Sequence, residues 1–169
     1  QLDSRQVEAY IFQELQLYAQ FAEHGSIVVG IKDYAEIEKT IGEIRTAITR
    51  RVFLLLALLH DGHTMRAVYL DWLEGDSRQQ ANAEEVIDQT LQGSLRTEMT
   101  KFMAGSRKMT KASASKAELN LHLSWLSEQG DEWLTQTIQY HMLNKTNSPE
   151  NAALADLMHR VELLRRVSL

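Results

Sequence analysis

Apolar residues recur at intervals of three and four along almost the whole chain, the period of helices with one buried face. From Ser4, a residue type suited to a helix N-cap, the stripe Val7, Ile11, Leu15, Tyr18 and Ala22 predicts a helix ending at Gly25. Ile27, Val28, Val29 and Ile31, continued by Tyr34, Ile37 and Ile41, predict a second, with Gly42 as a break. A third runs from about Glu43 through Ile48, Val52, Leu55, Leu56 and Leu59 and stops at Gly62. Its C-terminal half is apolar nearly all round, which predicts a place at the centre of the core. Met65 to Leu73, Ala83 to Leu91, Leu95 to Met103, Leu119 to Leu126 and Trp133 to Met142 each carry a shorter stripe. Ser148-Pro149 reads as a cap followed by a first-turn proline, opening a last helix with Leu154, Leu157, Val161 and Leu164 inward. The polar, basic stretch from Ala104 to Ser115 is the strongest loop signal.

No alternating Val/Ile/Thr run bounded by turn pairs is present, so the expectation is all-α: a single globular helical bundle of roughly seven to nine helices spanning 1–169. The single proline fits this, because almost nothing in the chain interrupts helices. A net charge of −5 argues against nucleic acid as the main partner. Lys101, Arg107, Lys108, Lys111 and Lys116 nevertheless gather around the loop, read first as a solvated stretch and second as a rim for an anionic ligand. There are no cysteines, which excludes disulfides and thiolate metal sites. The longest apolar run, Val52 to Leu59, is too short to span a bilayer, and no transmembrane segment is expected. Composition fixes no compartment, with the cytoplasm favoured, and a homodimer is compatible with it.

The chemistry worth weighing is concentrated at Leu58-Leu59-His60-Asp61-Gly62. An imidazole and a carboxylate at a helix end can lean towards one divalent cation, although neighbours inside a helix point about 100° apart. His24 and Asp131 each stand beside a glycine near a predicted helix end and would supply further ligands. His63, His122 and His141 are secondary candidates. Each residue also has an ordinary structural role: histidine at a helix C-terminus is favoured by the macrodipole, and Asp-Gly is a common turn pair.

The order His24, His60-Asp61, Asp131 on a helical chain resembles the signature of the HD-domain metal-dependent phosphohydrolases. Ala57-Leu58-Leu59-His60-Asp61-Gly62-His63 is similar to that family's central motif, though the residue usually found between the aspartate and the glycine is missing. Gly130 stands where an alanine usually precedes the last aspartate. The resemblance implies a divalent metal ion held by His24, His60, Asp61 and Asp131, with Asp61 as the catalytic carboxylate. It also implies hydrolysis of a phosphate ester, the substrate being a phosphorylated small molecule or nucleotide. Arg50, Arg51, Arg66 or Lys108 would neutralise the phosphate.

Two further likenesses are shallower. Gly93-Ser94-Leu95-Arg96 resembles the arginine-finger motif of bacterial effector GTPase-activating domains, without that family's second loop; the ordinary reading places Arg96 in the first turn of a helix. The segment from Met65 to Asp76 is similar to bacterial four-helix sensor domains. The alternative to an enzyme is therefore a non-enzymatic sensory, signalling or protein-interaction module. An enzyme should bring the four ligands into one pocket; a module would leave them scattered.

Overall fold

Every regular element in the computed structural model, which describes residues 3–105, 111–113 and 115–144, is helical. Among the described residues there are seven α-helices: α1 (Ser4–Gly25), α2 (Ala35–Leu59), α3 (Gly62–Glu74), α4 (Ser77–Thr90), α5 (Gly93–Gly105), α6 (Lys116–Ser127) and α7 (Glu132–Asn144). A single 3-10 turn, Lys32–Tyr34, precedes α2. The expected helix after Ser148-Pro149 lies outside the described residues, as do Arg107 and Lys108. None of these helices is long and apolar enough to cross a membrane.

The described residues fall into two compact units: 3–23 with 42–105, and 24–41 with 111–113 and 115–144. In the first unit, α3 packs on α4 and α4 on α5. Val7, Ile11, Leu15, Tyr18 and Phe21 bury the stripe of α1, while Ile48, Val52, Phe53 and Leu56 bury one face of α2. Aromatic edges tie four helices together: Tyr18 meets Phe102 at 4.8 Å, Phe102 meets Trp72 at 5.4 Å, and Trp72 meets Phe53 at 6.0 Å. In the second unit α6 packs on α7, with Leu123, Leu126, Leu134 and Ile138 buried.

Three helix boundaries differ from expectation. Residues 26–30 form turns rather than a helix, and Gly30 takes a left-handed φ of 69° while its N–H donates to the Glu38 carboxylate. Gly42 does not break α2. A glycine inside a helix costs about 1 kcal/mol relative to alanine, and buried Ile37, Ile41 and Ile48 on either side more than offset it. Gly62 begins a helix instead of only ending one, because Asp61 caps α3 by accepting from the Thr64 N–H. At Gly75, by contrast, glycine is obligatory: an added Cβ would collide with the Asp71 carbonyl oxygen and sit 2.7 Å from the Gln79 Cβ.

Candidate interaction groove

Of the residues singled out as metal ligands, Asp61, Asp131 and His24 each have a local side-chain contact, and His60 is placed by its backbone. His60 and Asp61 belong to the first unit, His24 and Asp131 to the second. The His60 N–H closes the last backbone bond of α2, to the Leu56 carbonyl at 2.9 Å. Asp61 Oδ2 accepts from both the N–H and the hydroxyl of Thr64, each at 2.7 Å. Those two bonds, the hydroxyl's first, hold the Asp61 carboxyl below its ordinary value, and the nearby His63 adds a smaller pull the same way. Asp131 Oδ1 accepts from the Leu134 N–H at 2.7 Å at the start of α7. His24 stacks on the Trp125 ring, 4.0 Å between centroids and 7° from parallel, and its Nδ1 lies 2.9 Å from Nδ1 of His122. Among the described residues no three His, Asp or Glu side chains are grouped so as to hold a metal ion.

The arginines separate in the same way. Arg51 makes a two-pronged contact with Glu14, both bonds 2.8 Å. Arg96 makes another with Asp88, both 2.6 Å, which raises the already high guanidinium pKa further and engages the side chain of the Gly-Ser-Leu-Arg segment. Arg50 and Arg66 have no hydrogen bond or ion pair among the described residues.

Asp61 gives a test of its capping role. Its folded pKa lies below the unfolded one, so the cap's contribution is complete above the ordinary carboxylate value of 3.8 and is lost as pH falls through the lowered value. Asp61→Ala is therefore expected to lower the thermal midpoint at pH 7, and the gap to the parent should narrow as the pH drops below the carboxylate range. A gap that persists unchanged in acid would assign the loss to something other than this carboxylate.

The expectation that the end of α2 lies wholly inside the core is overturned by the structure. Leu54 is 58% exposed and Leu58 60%, although Val52 and Leu56, two residues before each, are fully buried. Two residues correspond to about 200° of helical rotation, so Val52-Leu56 and Leu54-Leu58 are opposite faces of one helix, and both are apolar. Phe53, in tilted contact with Tyr69 at 5.4 Å, holds α3 back against α2. Between them runs an open groove of about 470 Å³, floored by Phe53 and Met65 and walled by Leu54, Ala57, Tyr69 and Leu70. Arg50 and Arg66 also line it, and among the described residues no acidic one does.

A groove between α1 and α5 is larger, at about 650 Å³, but its charges are already matched: Lys101 Nζ bonds Glu98 at 2.8 Å. The α2–α3 groove differs in combining exposed leucines with uncompensated positive charge. The sequence raises Arg50 and Arg66 only as counter-charges for phosphate and places Leu54 and Leu58 in the core rather than on an open face. The available signal was the spacing Arg50, Leu54, Leu58, a second stripe on the helix face opposite Ile48, Val52 and Leu56. Comparison of the chain with protein-family models, with curated proteins and with solved structures finds no match in any of the three.

Proposed function

We propose that this protein is a non-enzymatic helical interaction module whose α2–α3 groove receives an amphipathic helix bearing acidic residues beside its apolar stripe. The observation that carries this reading is the exposure of Leu54, Leu58 and Leu70 next to Arg50 and Arg66, with no carboxylate along the groove among the described residues. Leucines exposed on one face of a helix are costly in water, and burying them against a partner recovers that free energy. A shallow cleft between two helices fits a third helix, which would present residues at i, i+3 or i+4, and i+7 to it. The two guanidiniums select the charge of that helix: carboxylates flanking the stripe would form charge-assisted bonds, whereas lysines would be repelled.

The phosphohydrolase reading makes a different demand on the same chain. It needs a metal ion that is lost on Asp61→Ala together with hydrolysis of a generic phosphoester. The module reading expects equal metal content in parent and variant.

A direct test uses a synthetic helix of roughly four turns with leucines at the groove spacing and glutamates beside them, and a copy with lysines in place of the glutamates. The glutamate peptide should give saturable amide shifts confined to residues 50–73, and the lysine peptide should bind at least about tenfold more weakly. Equal binding of the two, or shifts spread away from α2 and α3, would refute the proposal.

A further inference from the structure

His24 and His122 meet through their ring nitrogens: the two Nδ1 atoms are 2.9 Å apart, and the ring planes are inclined by 61°. Both residues belong to the second unit, His24 on the last turn of α1 and His122 in the middle of α6. They lie 98 positions apart in the sequence, so the fold and not helix spacing brings them together. Each is half-buried rather than enclosed.

A nitrogen pair at this distance holds one proton between two lone pairs, one Nδ1 donating and the other accepting. A transition-metal ion can take the place of that proton, because imidazole nitrogen is a ligand for copper, nickel and zinc. The donor ring then carries its hydrogen on Nε2 instead of Nδ1, so both rings stay neutral and no proton is lost. The spacing selects among the ions. Nitrogens 2.9 Å apart, each about 2.0 Å from a shared ion, subtend about 90° at it. That is the angle between neighbouring corners of a square, which copper(II) and nickel(II) favour; a tetrahedral zinc site would set the nitrogens about 3.3 Å apart.

The surroundings suit a cation. Trp125, three residues after His122 on α6, carries the His24 ring flat against its own at 4.0 Å. Glu118 stands one turn before His122. Two interactions with Ser115, the backbone N–H first, hold the Glu118 carboxyl low, and His122 lowers it further, so negative charge lies close to the pair.

We infer that His24 and His122 together bind a copper(II) or nickel(II) ion through their Nδ1 atoms, fastening the end of α1 to α6, with water completing the coordination. The site shares only His24 with the phosphohydrolase ligand set and nothing with the groove.

The test is titration of the whole protein with copper(II) chloride, followed by calorimetry and tryptophan fluorescence. Emission should fall in a saturable step at one ion per chain, since copper(II) quenches a nearby indole and Trp125 lies against His24. His24→Gln and His122→Gln should each weaken binding by at least about tenfold, whereas His60→Gln and His63→Gln should leave it unchanged. Copper(II) should raise the thermal midpoint of the parent and not of the first two variants. In the parent itself, paramagnetic copper(II) should broaden the ring resonances of His24 and His122 before those of any other histidine, a readout that depends on no variant folding. Magnesium(II), which prefers oxygen ligands, should give no response. Binding that survives His122→Gln, or that falls equally in His63→Gln, would mean adventitious copper on surface histidines and overturns the inference. So does broadening that begins at another histidine.

Discussion

Leu56→Ala should destabilise the first unit by about 3 kcal/mol, within the range for deleting a buried leucine side chain. The neighbouring change Leu58→Ala should stay within about 0.5 kcal/mol of the parent. The two leucines differ by two positions and in nothing chemical, but Leu56 is fully buried and Leu58 is 60% exposed. Leu56 also lies on the closed side of α2, the side on which Phe53 and Trp72 join the aromatic chain through to Tyr18. Removing its side chain leaves a void in packing that collapses only partly. Equilibrium urea unfolding, followed by helical circular dichroism, measures both values. Equal losses at the two positions would mean that the outer face of α2 is buried after all, and the groove proposal would fall with that result.

How far the sequence anticipates this contrast depends on what each signal measures. The period of α1 was legible along its length: Val7, Ile11, Leu15 and Tyr18 are buried and Gly25 is its last residue, but Ser4, expected as the cap, is already helical and Asp3 accepts from the Arg5 N–H instead. Glycine proved an ambiguous stop signal, because whether it ends a helix depends on tertiary burial that local pattern does not report. Gly42 sits within the buried run of isoleucines, with open space where a Cβ would be, and α2 passes through it. Asp61-Gly62 was read for metal binding and as a turn, while the nearer signal was Asp61 followed three residues later by Thr64, a cap that starts α3.

The candidate site was less legible for a related reason. A helix that is apolar on opposite faces is ordinarily taken as central in the core, and hydrophobicity alone cannot say whether the second face meets its own chain or another. Only the packing shows that Val52 and Leu56 are enclosed while Leu54 and Leu58 face solvent. The chemistry-bearing residues carry two signals at once. Histidine and aspartate at helix ends match a ligand pattern by type and order, yet the same positions are where capping and stacking most often place them, as Asp61, Asp131 and His24 illustrate.

Reversing the two groove charges should invert its choice of partner. In the double variant Arg50→Glu with Arg66→Glu, the glutamate-bearing peptide is expected to lose at least about tenfold in affinity while the lysine-bearing peptide gains, an overall swing on the order of a hundredfold. Neither arginine takes part in an ion pair among the described residues, so the exchange should leave folding nearly untouched. Leu54→Asp acts on the other component of recognition. It removes an apolar anchor and places a charge where a partner's leucine would sit, so both peptides should lose binding by about thirtyfold or more, as expected for a central interface anchor. The pair of results separates steering from burial: the charge reversal changes which peptide binds, and the leucine change removes binding of either. Fluorescence anisotropy of labelled peptides at two salt concentrations distinguishes them further, since the arginine-dependent part should weaken as salt rises and the leucine-dependent part should not. A Leu54→Asp protein that still binds the glutamate peptide at parental affinity would show that charge alone attracts it, and a specific helix-binding groove would then have no support.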